Sequence, residues 1–147
     1  EGVPAIVHSD ISTSQFVYVE KDGIYKLNDF NRCRFLRWNI KEDRPCTFRV
    51  GNNPGTNRAP EEYNYDGETE KIDVYSMGNV FYSILTGLYP FEDEDDSRKA
   101  RKLVKKGHRP HIDGSILNST SPFVRTILNA TYQCWEQEPE DRSTARE

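Results

Sequence analysis

Two aspartates, Asp10 and Asp29, are the residues of this 147-residue chain best suited to chemistry. Asp10 lies in a short polar loop, His8-Ser9-Asp10-Ile11-Ser12-Thr13-Ser14-Gln15, and Asp29 opens Asp29-Phe30-Asn31. Between them, Phe16 to Val19 are β-branched or aromatic, Lys21-Asp22-Gly23 offers a turn with glycine at a left-handed position, and Ile24, Tyr25 and Leu27 return. A hairpin over 16–28 brings the two carboxylates close together at one end of a small sheet. An acceptor for a hydroxyl proton beside a hard oxygen ligand for Mg²⁺ is what phosphoryl transfer needs, because the protein contributes mainly positioning and charge neutralisation. A single aspartate beside a turn is far more often a turn residue, so the pair alone decides nothing.

The elements that must position this pair are mainly helical. Thr69 can cap a helix over 70–86, in which Ile72, Val74, Tyr75, Met77, Val80, Phe81, Ile84 and Leu85 are apolar nearly all round, the pattern of a buried central helix. Gly87 ends it. An acidic run, Glu92 to Asp96, precedes a basic helix over 97–106, with charges that suit the helix dipole and a solvated face as the plainest expectation. Ser121-Pro122 reads as a cap and first-turn proline for a last helix over 122–135, with Phe123, Val124, Ile127, Leu128, Thr131, Cys134 and Trp135 at helical spacing. Between hairpin and central helix, 32–58 shows no sustained period and reads as a long loop, which in a compact domain is usually functional.

Composition narrows the class. Twenty basic against 24 acidic residues give a net charge of -4, which argues against a dedicated binder of nucleic acid or anionic membrane. The three cysteines have no paired metal spacing, and with an odd count they suit a reduced, cytoplasmic setting. The longest apolar run is too short to span a bilayer, so no membrane contact is expected of this stretch, although the cytoplasmic part of a membrane protein would look the same.

Five short stretches, in order, resemble a known family. His8-Ser9-Asp10 followed by Gln15 is similar to the catalytic loop of eukaryotic protein kinases, His-Arg-Asp with an Asn five positions on, and Asp29-Phe30-Asn31 is similar to their Asp-Phe-Gly. Ala59-Pro60-Glu61, then Asp73 to Gly78, then Cys134-Trp135 with Arg142, match later landmarks. The resemblance covers nearly the whole chain and only what the family calls its C-terminal lobe. It implies a mainly α fold, a helical bundle around a buried central helix with a small antiparallel hairpin at the active-site end, and a nucleotide-gripping N-lobe supplied elsewhere as a partner. It further implies that the stretch is part of a larger protein.

For the residues, the resemblance implies ATP and Mg²⁺ as cofactors and a protein hydroxyl as substrate. Asp10 would be the catalytic base, Asp29 the Mg²⁺ ligand, and Gln15 a ligand for nucleotide-bound metal, where its extra methylene relative to Asn strains an octahedral site. The segment 29–61 would be the activation segment, shaping a platform for the substrate. His8, packed on Phe30, Asp73 accepting main-chain N–H groups of the catalytic loop, and a buried Glu61–Arg142 ion pair would be structural. Ser9 stands where an arginine would read an activation-segment phosphate, Ser12 where many members carry a lysine touching the transferred phosphate, and Asn31 where the family has glycine, asparagine being able to take positive φ. Three readings stay open here: an active kinase, a pseudokinase that holds partners without chemistry, and an unrelated helical interaction domain.

Overall fold

The computed structural model describes residues 6–146. Three two-stranded antiparallel sheets and five α-helices follow in order: β1 (Ile6–Val7), β2 (Phe16–Val19), β3 (Ile24–Leu27), β4 (Arg34–Phe35), β5 (Trp38–Asn39), β6 (Arg44–Pro45), then α1 (Pro60–Asn64), α2 (Lys71–Thr86), α3 (Ser97–Lys105), α4 (Gly114–Leu117) and α5 (Pro122–Cys134). β2 and β3 form the expected hairpin, in register from Phe16↔Leu27 to Val19↔Ile24, and its turn is closed by Gly23 at φ 65°. β1 pairs with β4 across the polar loop. The segment 32–58 is more structured than its sequence suggests: β5 and β6 make a second small hairpin, and Phe48 bridges to Glu68. Two-residue strands leave no periodicity to read, because alternation needs about four residues to show.

α2 carries the core. Ile72, Val74, Tyr75, Val80 and Tyr82 are buried, and burying such side chains stabilises the fold by roughly 1.5–3 kcal/mol each. The helix begins at Lys71 rather than 70, with the Lys71 N–H donating to Thr69 Oγ1 at 3.4 Å, and Gly87 at φ 74° closes it. Its last turn differs from the expected all-round burial, since Ile84 is 56% exposed. α5 packs across α2 so closely that a Cβ on Gly78 would stand 2.7 Å from Cys134 Cβ and 2.8 Å from Trp135 Cδ1. The buried Trp135 indole N–H donates to Asn79 Oδ1 at 2.9 Å, fixing the crossing.

Two further expectations are corrected by one residue each. The basic helix stops at Lys105 and the last helix at Cys134, and only the C-terminal half of α5 faces the core, Phe123 being 64% exposed. A single helix can bury one stripe, and Thr131 and Cys134 occupy it here. Tyr75, fully buried, lies between two cations, its ring 5.1 Å from the Arg109 guanidinium and 5.0 Å from that of Arg142.

Candidate active site

The loop 8–15 is held from beneath by α2. Asp73, in the first turn of that helix, accepts the main-chain N–H groups of His8 and Ser9 at 2.5 and 2.9 Å. Ser9 takes a left-handed backbone, φ 63°, which the two bonds enforce on a residue that would otherwise avoid it. Burial pushes the Asp73 carboxyl above its ordinary range, and the two donated hydrogen bonds act against that.

The hairpin is fastened to the same loop. His8 Nε2 donates to the Asn28 carbonyl at 2.9 Å, and the Asn28 N–H donates to the Gln15 carbonyl at 2.8 Å. His8 also stands edge-on to Phe30, ring centroids 4.9 Å apart. Asn28 is thus tied on both sides, and Asp29 follows it directly, half-buried at φ 62°, ψ 62°. No described residue engages the Asp29 side chain. The positive φ expected of Asn31 falls on Asp29 instead: Asn31 lies within a 3₁₀ turn, Phe30–Arg32, whose right-handed backbone needs no glycine.

Asp10 faces an open groove of about 530 Å³ between the loop, the segment before α1 and the middle of α2, with Ser12, Gln15, Asn57, Arg58 and Tyr89 among its walls. Asp29 is not part of that lining. The structure therefore pins the two loops to each other at Asn28, with Asp10 lining the groove and Asp29 outside its lining. Gln15 turns its amide to Asp10, Nε2 to Oδ2 at 3.4 Å.

One participant escaped the sequence. Arg58, 4% exposed, donates through Nη2 to Asp10 Oδ1 at 2.5 Å and through Nη1 to the Ser9 carbonyl at 2.8 Å. The signal available was a lone basic residue directly before Ala59-Pro60-Glu61, and nothing in spacing distinguishes it from the other arginines of 32–58. Behind it, Glu62 is buried, 3.8 Å from Arg58 Nη1, and accepts the Ala59 N–H at 2.8 Å. Burial raises the Glu62 carboxyl to about 8 against the pull of Arg58. Glu68, also fully buried, accepts the Val50 N–H at 2.7 Å and is raised by burial to about 7. Glu61 pairs with Arg142 through two contacts, 2.6 and 2.9 Å, and so ties the end of the segment to the turn after α5. Burial pushes the Cys134 thiol up to about 11, which disfavours the thiolate.

The protein kinase domain family matches residues 3–147, almost the whole chain. The chain belongs to the protein kinase family. Similar proteins include a probable serine/threonine-protein kinase of Dictyostelium discoideum, 30% identical over 95% of this chain and 14% of its own length, and human receptor-interacting serine/threonine-protein kinase 1, 29% identical over 95% of this chain and 22% of its own. A putative serine/threonine-protein kinase/receptor of Acanthamoeba polyphaga mimivirus is 32% identical over 95% of the chain and 8% of its own length. The chain spans less than a quarter of the length of these curated relatives. As a kinase domain it is helix-rich with small antiparallel sheets, and among its described residues no helix is long and apolar enough to cross a membrane.

Proposed function

We propose that this kinase chain is the substrate-holding C-terminal lobe of a larger enzyme that transfers the γ-phosphoryl group of ATP to a protein hydroxyl. The observation that carries the proposal is the coupling of Asp10 and Asp29 through a loop and a hairpin pinned to each other at Asn28 and to α2 at Asp73. The printed names of the relatives, serine/threonine kinases, support the reaction class. A cytoplasmic setting, or the cytoplasmic side of a membrane protein, goes with it.

Asp10 fits the base: one carboxylate oxygen is held by Arg58, and the residue lines the groove in which a peptide hydroxyl would lie. The hydroxyl oxygen forms its bond to the γ-phosphorus as the bond to the β,γ-bridging oxygen breaks. The electron pair leaves with ADP, and the hydroxyl proton passes to Asp10. Asp29 fits a Mg²⁺ ligand because it is half-exposed and its carboxylate is engaged by no described residue, and Mg²⁺ is commonly held by one or two carboxylates plus substrate phosphates. When bound, the ion would neutralise charge on the phosphates. Gln15, its amide turned to Asp10, orients the base more readily than it serves a second metal.

The test uses the protein joined to its nucleotide-binding lobe, because the isolated 147 residues are expected to be inactive. Mg²⁺-ATP-dependent phosphotransfer is compared for the parent, Asp10→Asn and Asp29→Asn. Both variants are expected to lose at least about 100-fold in kcat. Equal residual rates in all three would leave ATP binding without turnover, the pseudokinase outcome.

A further inference from the structure

The catalytic loop carries no cation of its own. From Ile11 to Gln15 its side chains are Ile, Ser, Thr, Ser and Gln, and a base that must stay ionised and aimed beside phosphate oxygens needs a positive neighbour. We propose that Arg58, reaching in from the segment before α1, is the positioning residue that fills this gap by clamping Asp10 at two points.

The clamp is visible in the contacts. The guanidinium bridges the main chain before Asp10, through the Ser9 carbonyl, and the Asp10 carboxylate itself, through Oδ1. A planar fork bonded at two points fixes the direction of the carboxylate in a way a lysine point charge cannot. Oδ2 meets Gln15 Nε2 at 3.4 Å, and both residues line the groove. Arg58 is 4% exposed yet forms part of the groove wall, and its Nε is buried without a partner among the described residues. Arg32, which lines the same groove, turns its donors to Asn52 and Asn53 and leaves Asp10 to Arg58. Glu62, another acid near the guanidinium, stands farther off at 3.8 Å.

This proposal rests on the phosphotransfer reading, and Arg58 neither gains nor loses a proton in it. Misdirecting a reacting group by about 1 Å costs on the order of 100-fold in rate, so Arg58→Met is expected to lower kcat about 100-fold while KM for peptide stays within about threefold. Arg58→Lys, which keeps the charge without the fork, is expected to fall between.

The assay uses the protein with its nucleotide-binding lobe, Mg²⁺-ATP and a mixed serine/threonine peptide pool. Fluorescence anisotropy measures peptide binding without nucleotide, and a melting curve is taken for each variant. Peptide affinity is expected to hold within about threefold throughout, since the arginine acts on Asp10 rather than on the peptide. A kcat for Arg58→Met and Arg58→Lys equal to the parent overturns the clamp and leaves the kinase reading intact, as does a kcat above the parent, which would make Arg58 a restraint. Should Arg58→Met fail to melt cooperatively, Arg58→Lys and its kcat decide alone. A parent whose rate matches Asp10→Asn removes the phosphotransfer reading and the clamp with it.

Discussion

Glu61 and Arg142, 81 residues apart, meet as a buried pair with two nitrogen–oxygen contacts of 2.6 and 2.9 Å. Arg142 also donates to the carbonyls of Lys71, Glu136 and Gln137, so one guanidinium joins α1, α2 and the turn after α5. Removing one partner leaves the other charge buried and alone. Glu61→Ala and Arg142→Ala are each expected to cost about 3–5 kcal/mol, read by urea unfolding, and a cost below about 1 kcal/mol would show that the pair is not a structural anchor.

Gly78 is a matter of space rather than backbone freedom. With a Cβ there, the 2.7 Å approach to Cys134 Cβ forces α2 and α5 apart. Gly78→Ala is expected to lower stability by about 1–3 kcal/mol although alanine favours helices, and thermal unfolding measures it.

Asp73 serves two main-chain donors at once. In Asp73→Ala both N–H groups lose their acceptor, at about 1–3 kcal/mol each, and the left-handed Ser9 loses its restraint. Hydrogen exchange at the His8 and Ser9 amides is expected to rise sharply, with kcat falling alongside. Unchanged protection would mean that other contacts hold the loop.

Stability should fall with rising pH. Unfolded, Glu62 and Glu68 titrate near 4.5; folded, near 8 and 7. Burial favours their protonated forms, so this contribution is complete below about 4.5 and is lost as pH rises through 7 and then 8. Glu68→Gln keeps an acceptor for the Val50 N–H and supplies a neutral amide in place of an oxygen that has no partner. It is expected to flatten the decline between pH 5 and 8 in a series of denaturant midpoints, and a slope identical to the parent would exclude Glu68 as a source.

Long elements were legible in the sequence. The hairpin 16–28 and the central helix were readable because alternation and helical spacing persist over many residues, and their ends move by a residue at most. Thr69 was a readable cap signal, but the helix starts one residue later because its hydroxyl serves Lys71. Contacts between distant segments were not legible. β1 with β4, Asn79 with Trp135 and Arg58 with Asp10 rest on single residues whose types have many other uses. The same holds for Asn31: its residue type suggested positive φ, and tertiary pinning at Asn28 moved the left-handed turn to Asp29.

The grip of Asp73 on the loop 8–15 goes through peptide nitrogens and ignores what side chains positions 8 and 9 carry. The serine at position 9 is nonetheless enclosed, 2% exposed and with its carbonyl bonded to Arg58. A bulkier side chain at Ser9 would therefore have to displace its neighbours, and the frame around Asp10 would move with them.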